Sequence, residues 1–480
     1  MAMLISQAIA SAKNLFPEDA KIIKDLVEIW RAKLPRNQLR DRYYAGHVKT
    51  KDLGVAISPE LRNKIHAKID WPAKAVDYLA ARSQFDGFTT SDETYSNDLL
   101  SIAKSNHLKD LYRKAVLCEL KHCCAALTAT NDGTGNPIIS AYPMTACGLM
   151  WDDALKTVKA GLVVAESKKQ SAYGLNRIPT VVKVFTDKNL IIVQRTRNGY
   201  VASYQPHSMG RPLIEPMAYR PTLERPFGRS RITRTVMTLT DDAQREKERS
   251  EIAAEFAAYP QKYLLGTDKK ITNSGNRYAA YIGAIMEVTK GENDTVPTFG
   301  QLSQLSMQPH IDYMRSLAAQ FSGATNVPLS ALGVVSDNPS SAEAIYAAKE
   351  DLVIDAQALN AENGQALVNV AMMALAIKNN SSFADVRDSG VTVDARFRNP
   401  AMPSVVSQSD AMVKQISALP WLAESDIALE ELGYNEEQIQ RLHSDRTRWQ
   451  GMQLANATIA SKSNSQTQRE GQIEPTSAGE

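Results

Sequence analysis

Asp152 and Asp153, followed after a β-type run by Glu166-Ser167-Lys168, come closest in this chain to the ingredients of hydrolytic chemistry. A pair of carboxylates can hold Mg²⁺ and orient a water, and a lysine two residues beyond the glutamate can steady the charge that develops during phosphodiester cleavage. That use requires Asp153 or its neighbour to meet Glu166 and Lys168 across adjacent strands. A nuclease of this kind is therefore carried forward as an alternative, to be decided by strand register.

The second cluster is Cys118, His122, Cys123, Cys124 and Cys147. Three donors in successive positions fit neither of the usual two-plus-two zinc spacings, and four cysteines so placed do not make a disulfide framework. They are read as core thiols in a reducing compartment, with no metal and no cofactor. The sequence contains no G-x-x-x-x-G-K-[ST], no H-E-x-x-H and no G-x-S-x-G. Motor, metalloprotease and serine hydrolase chemistry thus lack their signatures, and the expectation is a protein that is not an enzyme.

The 480 residues are 43% hydrophobic, enough for several buried cores, and carry 55 Lys+Arg against 53 Asp+Glu, a net charge of +2. A protein that grips nucleic acid statically draws affinity from counterion release and shows a basic excess. This balance argues against tight DNA binding. No basic-then-apolar leader and no run of about 18 apolar residues is present, so the expectation is cytoplasmic synthesis and no membrane.

Periodicity predicts the elements. Ile22, Ile23, Leu26, Val27, Ile29, Trp30 and Leu34 form a helical stripe, expected to stop at Pro35. Residues 58–84 read as two helices broken at Trp71-Pro72, and 96–130 as a long helical pattern ending in the turn Asn131 to Pro137. From 137 to 225 the pattern is β, with Leu190–Arg195 and Tyr200–Tyr204 joined as a hairpin across Arg197-Asn198-Gly199. Helices followed by an antiparallel sheet predict an α+β domain. Arg231 to Ala258 is a helix of about 40 Å at ~1.5 Å per residue, with Ile232, Val236, Leu239 and Ala243 on one face and the polar run Arg245-Glu246-Lys247-Glu248-Arg249 in its middle. Short strands at Lys262–Leu265 and Ala284–Val288 precede a helix over 306–325, with Ile311, Met314, Leu317, Ala318 and Phe321 on one side. A Pro/Gly/Ser loop, a capping box at Ser340 and Glu343 and a long helix over 341–378, weakest at Gly364, come next. Val391–Phe397 reads as a strand returning to the sheet, 404–450 as helices broken at Leu419-Pro420, and 458–480 as disordered.

In order and spacing, several runs resemble the portal protein of tailed, long-tailed bacteriophages. They are Tyr43-Tyr44-Ala45-Gly46, Asp70-Trp71-Pro72, Asp86-Gly87-Phe88, Pro226-Phe227-Gly228-Arg229-Ser230-Arg231-Ile232, Ala258-Tyr259-Pro260-Gln261, Ala319-Gln320-Phe321-Ser322-Gly323, Val327-Pro328-Leu329 and Asn338-Pro339-Ser340-Ser341. The likeness covers roughly residues 20 to 450, and its specificity lies in the ordered set.

The resemblance implies a portal fold: a wing over 1–230, stem helices at 231–258 and 305–326 around a small α/β clip at 259–304, a tunnel loop at 327–340, a spine helix with a returning wing strand at 341–400, and a helical crown at 401–457. It further implies a ring of twelve copies at a capsid vertex, through which double-stranded DNA passes without sequence preference. The partners it implies are the terminase large subunit, a head-tail adaptor, and the major capsid and scaffold proteins. Virion residence after assembly in the host cytoplasm belongs to the same reading. The tunnel loop Leu332, Gly333, Val334, Val335, Ser336, Asp337 and Asn338 is then expected to face DNA. Arg245, Glu246, Lys247, Glu248, Arg249 and Arg315 are expected between neighbouring subunits. Another head-tail connector or minor head protein is the structural alternative.

Overall fold

The computed structural model describes residues 2–49, 67–169, 177–258, 262–265, 298–301, 303, 305–334, 349–401, 405–434 and 436–470. Helix α1 (Ala2–Ala10) and the long α2 (Pro17–Tyr44) open the chain. Pro35 lies inside α2, contrary to the expected stop. A proline there forfeits a backbone hydrogen bond and costs about 3 kcal/mol, but the helix is pinned on both sides of it. Trp30 Nε1 donates to the Thr145 carbonyl at 2.8 Å, Asn37 to Met144 O at 3.2 Å and Arg40 to His122 O at 3.2 Å. The Tyr43 hydroxyl donates to Asp241 at 2.9 Å. Tertiary contacts thus override the local signal.

Helix α3 (Trp71–Ala80) starts at the Trp71-Pro72 break, with proline in its first turn where its missing N–H is harmless. Of the first helix of that expected pair, 58–66 lies outside the described residues and 67–70 is not helical. Strand β1 (Phe85–Thr90), α4 (Glu93–Ser105) and α5 (Leu108–His122) follow. The helical pattern expected to reach residue 130 ends at His122, and Cys124–Asn131 is strand β2. Its run of small apolar and threonine side chains is almost wholly buried, being the middle strand between β3 (Pro137–Pro143) and β9 (Ile214–Ala218). A buried apolar run carries no alternation to distinguish it from a helix.

The second sheet is an antiparallel meander of β4 (Cys147–Asp152), β5 (Thr157–Lys169), β6 (Arg177–Phe185), β7 (Asn189–Thr196) and β8 (Gly199–Pro206). Its last hairpin is the expected one: Thr196 faces Gly199, so Arg197 and Asn198 make the two-residue loop, and Gly199 takes a φ of +118°. One face is covered by α1 and α2 through Ile9, Ile23, Leu26 and Val27.

Helix α6 (Arg234–Ala258) leaves this body and α7 (Gln308–Thr325) returns antiparallel to it. At their far ends β10 (Lys262–Leu265) pairs with β11 (Thr298–Gln301). The expected strand Ala284–Val288 lies outside the described residues, as does the capping box at Ser340 and Glu343. Helix α8 (Glu350–Lys378) is the spine of the main core, with Leu352, Ala356, Leu359, Leu367, Val370 and Ala374 buried. After the short α9 (Phe383–Asp388), strand β12 (Val393–Phe397) pairs with β1 in a separate two-stranded sheet. It does not rejoin the meander; its Phe397 ring lies against α8, at ordinary contact distance from where a Cβ on Gly364 would stand, 3.5 Å.

The C-terminal helices are α10 (Val405–Ala418), α11 (Asp426–Glu431) and α12 (Glu436–Glu470), with a 3₁₀ turn at Pro420–Glu424 where Leu419-Pro420 breaks the pattern. Helix α12 continues to Glu470, past the expected start of disorder at Thr458. From Met452 to Glu470 no proline or glycine interrupts it, so nothing local ends the helix before Gly471.

Candidate functional site: the stem and its anchor

The hydrolytic arrangement does not assemble. Asp152 pairs with Thr157 at the first residue of β5, whereas Glu166 lies nine positions further along the same strand, opposite Val181. At ~3.3 Å per residue that is about 30 Å. The Asp152 carboxylate accepts from the N–H groups of Ala154 and Leu155 at 2.9 and 3.0 Å, which holds it below the usual carboxylate range. Asp153 is exposed beside Lys156, and Glu166 and Lys168 are exposed on the far half of β5. Strand register therefore removes the nuclease alternative.

The four cysteines belong to the main core or pack against it. His122 turns to Asp41 at 2.9 Å; burial works to raise that carboxyl, but the bonds and charges of His122 and Lys121 outweigh it and hold it low. Cys124 and Cys147 are buried, and all four cysteines are free. Among the described residues no group of three or more His, Cys, Asp or Glu is placed to hold a metal ion.

What the sequence does build is the two-helix stem. Ile232, Val236, Leu239 and Ala243 are buried at the foot of α6, and Leu317, Ala318 and Phe321 at the root of α7. Met314 is half-buried, while Ile311, expected on the same face, is 45% exposed. The polar run divides. Glu246 and Glu248 are buried, and Glu246 reaches His310 of α7 at 2.5 Å and Arg249 at 3.6 Å. Arg245 bonds Asp242 within its own helix, and Lys247 pairs with Glu251 at 3.2 Å. Glu246 thus ties the stem helices to each other, and Lys247, Arg249 and Arg315 are left toward solvent.

The stem is anchored by Arg231, three residues before α6. Its guanidinium is buried and donates to the Ala75 carbonyl in α3, to the Tyr219 hydroxyl at 2.8 Å, to the Thr325 carbonyl in the last turn of α7, and toward Asp355 of α8 at 3.4 Å. Asp355 also receives Arg220 and the Asn326 amide, the latter at 3.1 Å. The backbone arrives there by a tight turn: Gly228 has a φ of +68°, and a methyl on it would stand 2.2 Å from the Tyr219 carbonyl oxygen. Ser230 Oγ donates to Lys121 O at 2.5 Å, and Arg231 N to Leu120 O at 2.8 Å. Both ends of the stem and the spine helix are thereby fastened to one residue. Arg231 stands within the Pro226–Ile232 run, but of its side-chain partners only Tyr219 is near in sequence, 12 positions away; Ala75, Asp355 and Thr325 lie 94 to 156 positions away, and no local pattern announces them.

Of the expected tunnel loop, Leu332 ends a 3₁₀ turn (Leu329–Leu332), Gly333 takes a φ of +84°, and Val334 follows. Leu332 and Val334 pack against the core and Gly333 is exposed. Val335, Ser336, Asp337 and Asn338 lie outside the described residues.

These elements build a body with a meander sheet, a buried spine helix and a two-helix stem tipped by a strand pair. Residues 23–444 match the model of the phage portal protein family, SPP1 Gp6-like, and the chain belongs to that family. It is 23% identical over 390 residues to the portal protein of Mycobacterium phage L5, covering 78% of this chain and 77% of that one. It is 22% identical over 411 residues to the portal protein of Mycobacterium phage D29, covering 82% and 81%. Solved structures that resemble it include a chain of the virion of a native gene transfer agent particle, at 11% identity and a TM-score of 0.42, covering 80% of this chain and 89% of that one. Another comes from the neck of such a particle computed with C12 symmetry, at 13% identity and a TM-score of 0.41, covering 76% and 89%. No described helix is long and apolar enough to cross a membrane.

Proposed function

We propose that copies of this chain close into a ring, twelve being the number that the family resemblance implies, and that the ring is the channel for double-stranded DNA at a capsid vertex. The observation that carries this reading is the family match along residues 23–444, joined to a stem whose outer face keeps charged and apolar side chains in solvent. Lys247 and Arg315 are exposed on the stem, as are Ile311 and Tyr313, each 45% exposed. Cyclic closure needs two different faces per subunit, and such an outer stem face supplies one of them.

The ring acts without catalysis of its own. A separate terminase large subunit drives the DNA, and the tip around β10 and β11 is where a head-tail adaptor docks. Major capsid and scaffold proteins surround the body, and the protein resides in the virion after assembly in the host cytoplasm. The loop Leu332 to Asn338 meets the DNA. With Val334 packed against the core, it offers Val335 and one carboxylate but no Lys or Arg, so no ion pair with phosphate has to break at each step, and the near-neutral net charge agrees with a sliding contact.

Cysteines in place of Lys247 and Arg315 test the packing of stem against stem. Oxidation should yield a ladder of covalent multimers from the double variant and none from either single one. A double variant that stays monomeric on denaturing gels would place the subunit interface elsewhere.

A further inference from the structure

The contact between α5 and α8 holds a carboxyl group with no cation beside it. Glu119 and Asn363, facing each other from the two helices, are both 0% exposed. The Asn363 amide uses one N–H on Glu119 Oε2 at 2.8 Å and the other on the Tyr112 hydroxyl at 3.1 Å. The Tyr112 hydroxyl lies 2.6 Å from Ser83 Oγ, which donates to Asn360 Oδ1 at 2.6 Å. Two buried acceptors are left without a partner among the described residues: Glu119 Oε1 and Asn363 Oδ1. They sit on the two side chains that are already bonded to each other.

We infer that Glu119 is held as the neutral carboxylic acid and closes a ring with the Asn363 carboxamide. The acid oxygen Oε2 accepts from the amide N–H, and a proton on Oε1 donates to the amide oxygen. One proton thus satisfies both remaining acceptors. Turning the amide over leaves the conclusion unchanged, because it would put the amide oxygen 2.8 Å from Glu119 Oε2, and of two oxygens at that distance only the carboxyl can carry the proton between them. A bare carboxylate here would cost several kcal/mol of lost solvation.

The ionisable groups that bear on Glu119 are Glu362 on α8, Cys123 at the end of α5 and Tyr112 on its own helix, and none of them is a cation. Burial drives the Glu119 carboxyl well above the usual range. The Asn363 bond works against that, and Glu362 and Cys123 reinforce it. Because the folded value is raised, the stabilisation is complete below the carboxylate range of the unfolded chain. It is lost as pH rises through the folded value.

The position gives this proton a mechanical role. The next two carbonyls, of Leu120 and Lys121, are those that hold Arg231 and Ser230 at the stem entrance. Ionising Glu119 would push the end of α5 from the spine helix at the point where the stem is fastened, so the site is a built-in release that answers to rising pH.

Infrared difference spectra of the full chain in ²H₂O test this directly. A protonated, hydrogen-bonded carboxylic acid band should be present at neutral pH, disappear on alkaline titration, and be missing in Glu119→Gln, whose amide can form the same ring without a proton. The melting temperature of the wild type should fall as pH rises above the carboxylate range of the unfolded chain, while that of Glu119→Gln stays level. Should Glu119→Gln fail to fold, Asn363→Leu serves: it should keep the acid band but shift it toward the frequency of an acid lacking its hydrogen-bond partner. A neutral-pH spectrum showing ionised carboxylates alone would overturn the inference. So would a wild-type melting temperature that drops on chelator treatment while that of Glu119→Gln does not, since a metal ion would then occupy the place given to the proton.

Discussion

Arg231, just before the outgoing stem helix, lies 3.4 Å from Asp355 on the spine helix, and both side chains are nearly closed to solvent. The same guanidinium holds the carbonyl of Thr325, where the returning helix ends. A movement of either stem helix relative to the spine must therefore pass through this residue.

Removing that charge should be costly. Arg231→Met leaves Asp355 with the more exposed Arg220 and strands three oxygen acceptors, so a loss of about 3–5 kcal/mol is expected from breaking a buried pair. Asp355→Asn should lose less, because the amide oxygen can still accept from both arginines. Chemical denaturation of the two variants checks the order, and equal losses would mean that the carboxylate charge itself carries the anchor.

The turn before the anchor should be intolerant of any side chain. Gly228→Ala pays for a left-handed backbone and for a clash with the Tyr219 carbonyl, whereas Gly210→Ala, at a φ of +68° with nothing within 4 Å, bears only the first. Backbone strain alone is worth about 1–3 kcal/mol. The melting temperature of the Gly228 variant should fall well below that of the Gly210 variant, and equal melting temperatures would show the turn to be adaptable.

Changing Glu166 and Lys168 together to alanine should leave assembly and DNA packaging as they are, since both are exposed and about 30 Å along β5 from Asp152. Cleavage of DNA that requires Mg²⁺ and vanishes in this variant would contradict that expectation.

Lysines at Val335 and Asn338 should add charge-assisted phosphate contacts to the loop, slow packaging at low salt, and do so less as salt rises. Ring assembly should be normal. A lysine at Val334 should instead reduce stability, because that side chain packs against the core. Wild-type packaging rates for the Val335 and Asn338 double variant at low salt would remove the loop from the DNA path.

The parts of the fold that were legible from sequence are those with a local cause. The hairpin at Arg197–Gly199 follows from turn chemistry, and the stem helix from the three- and four-residue spacing of Ile232, Val236, Leu239 and Ala243. The misread parts have distant causes. Pro35 is tolerated because Asn37, Arg40 and Tyr43 are held by residues far along the chain, and Cys124–Asn131 is a strand because β3 and β9 flank it. Val393–Phe397 pairs with β1 and not with the meander, and its Phe397 ring packs on Tyr112 and Phe85, which are far from it in sequence. For the stem, charge pattern alone could not divide Glu246, bonded inward to His310, from Lys247 and Arg249, which face solvent. The anchor is the extreme case, since four of the groups meeting Arg231 come from four separate elements.

Mass measurement with negative-stain imaging of the purified full chain, free of DNA and nucleotide, tests the central claim most directly. Closed rings with a central hole, of one or a few discrete subunit numbers, are expected. A monodisperse monomer across the micromolar range, with no annular particles, would contradict the account.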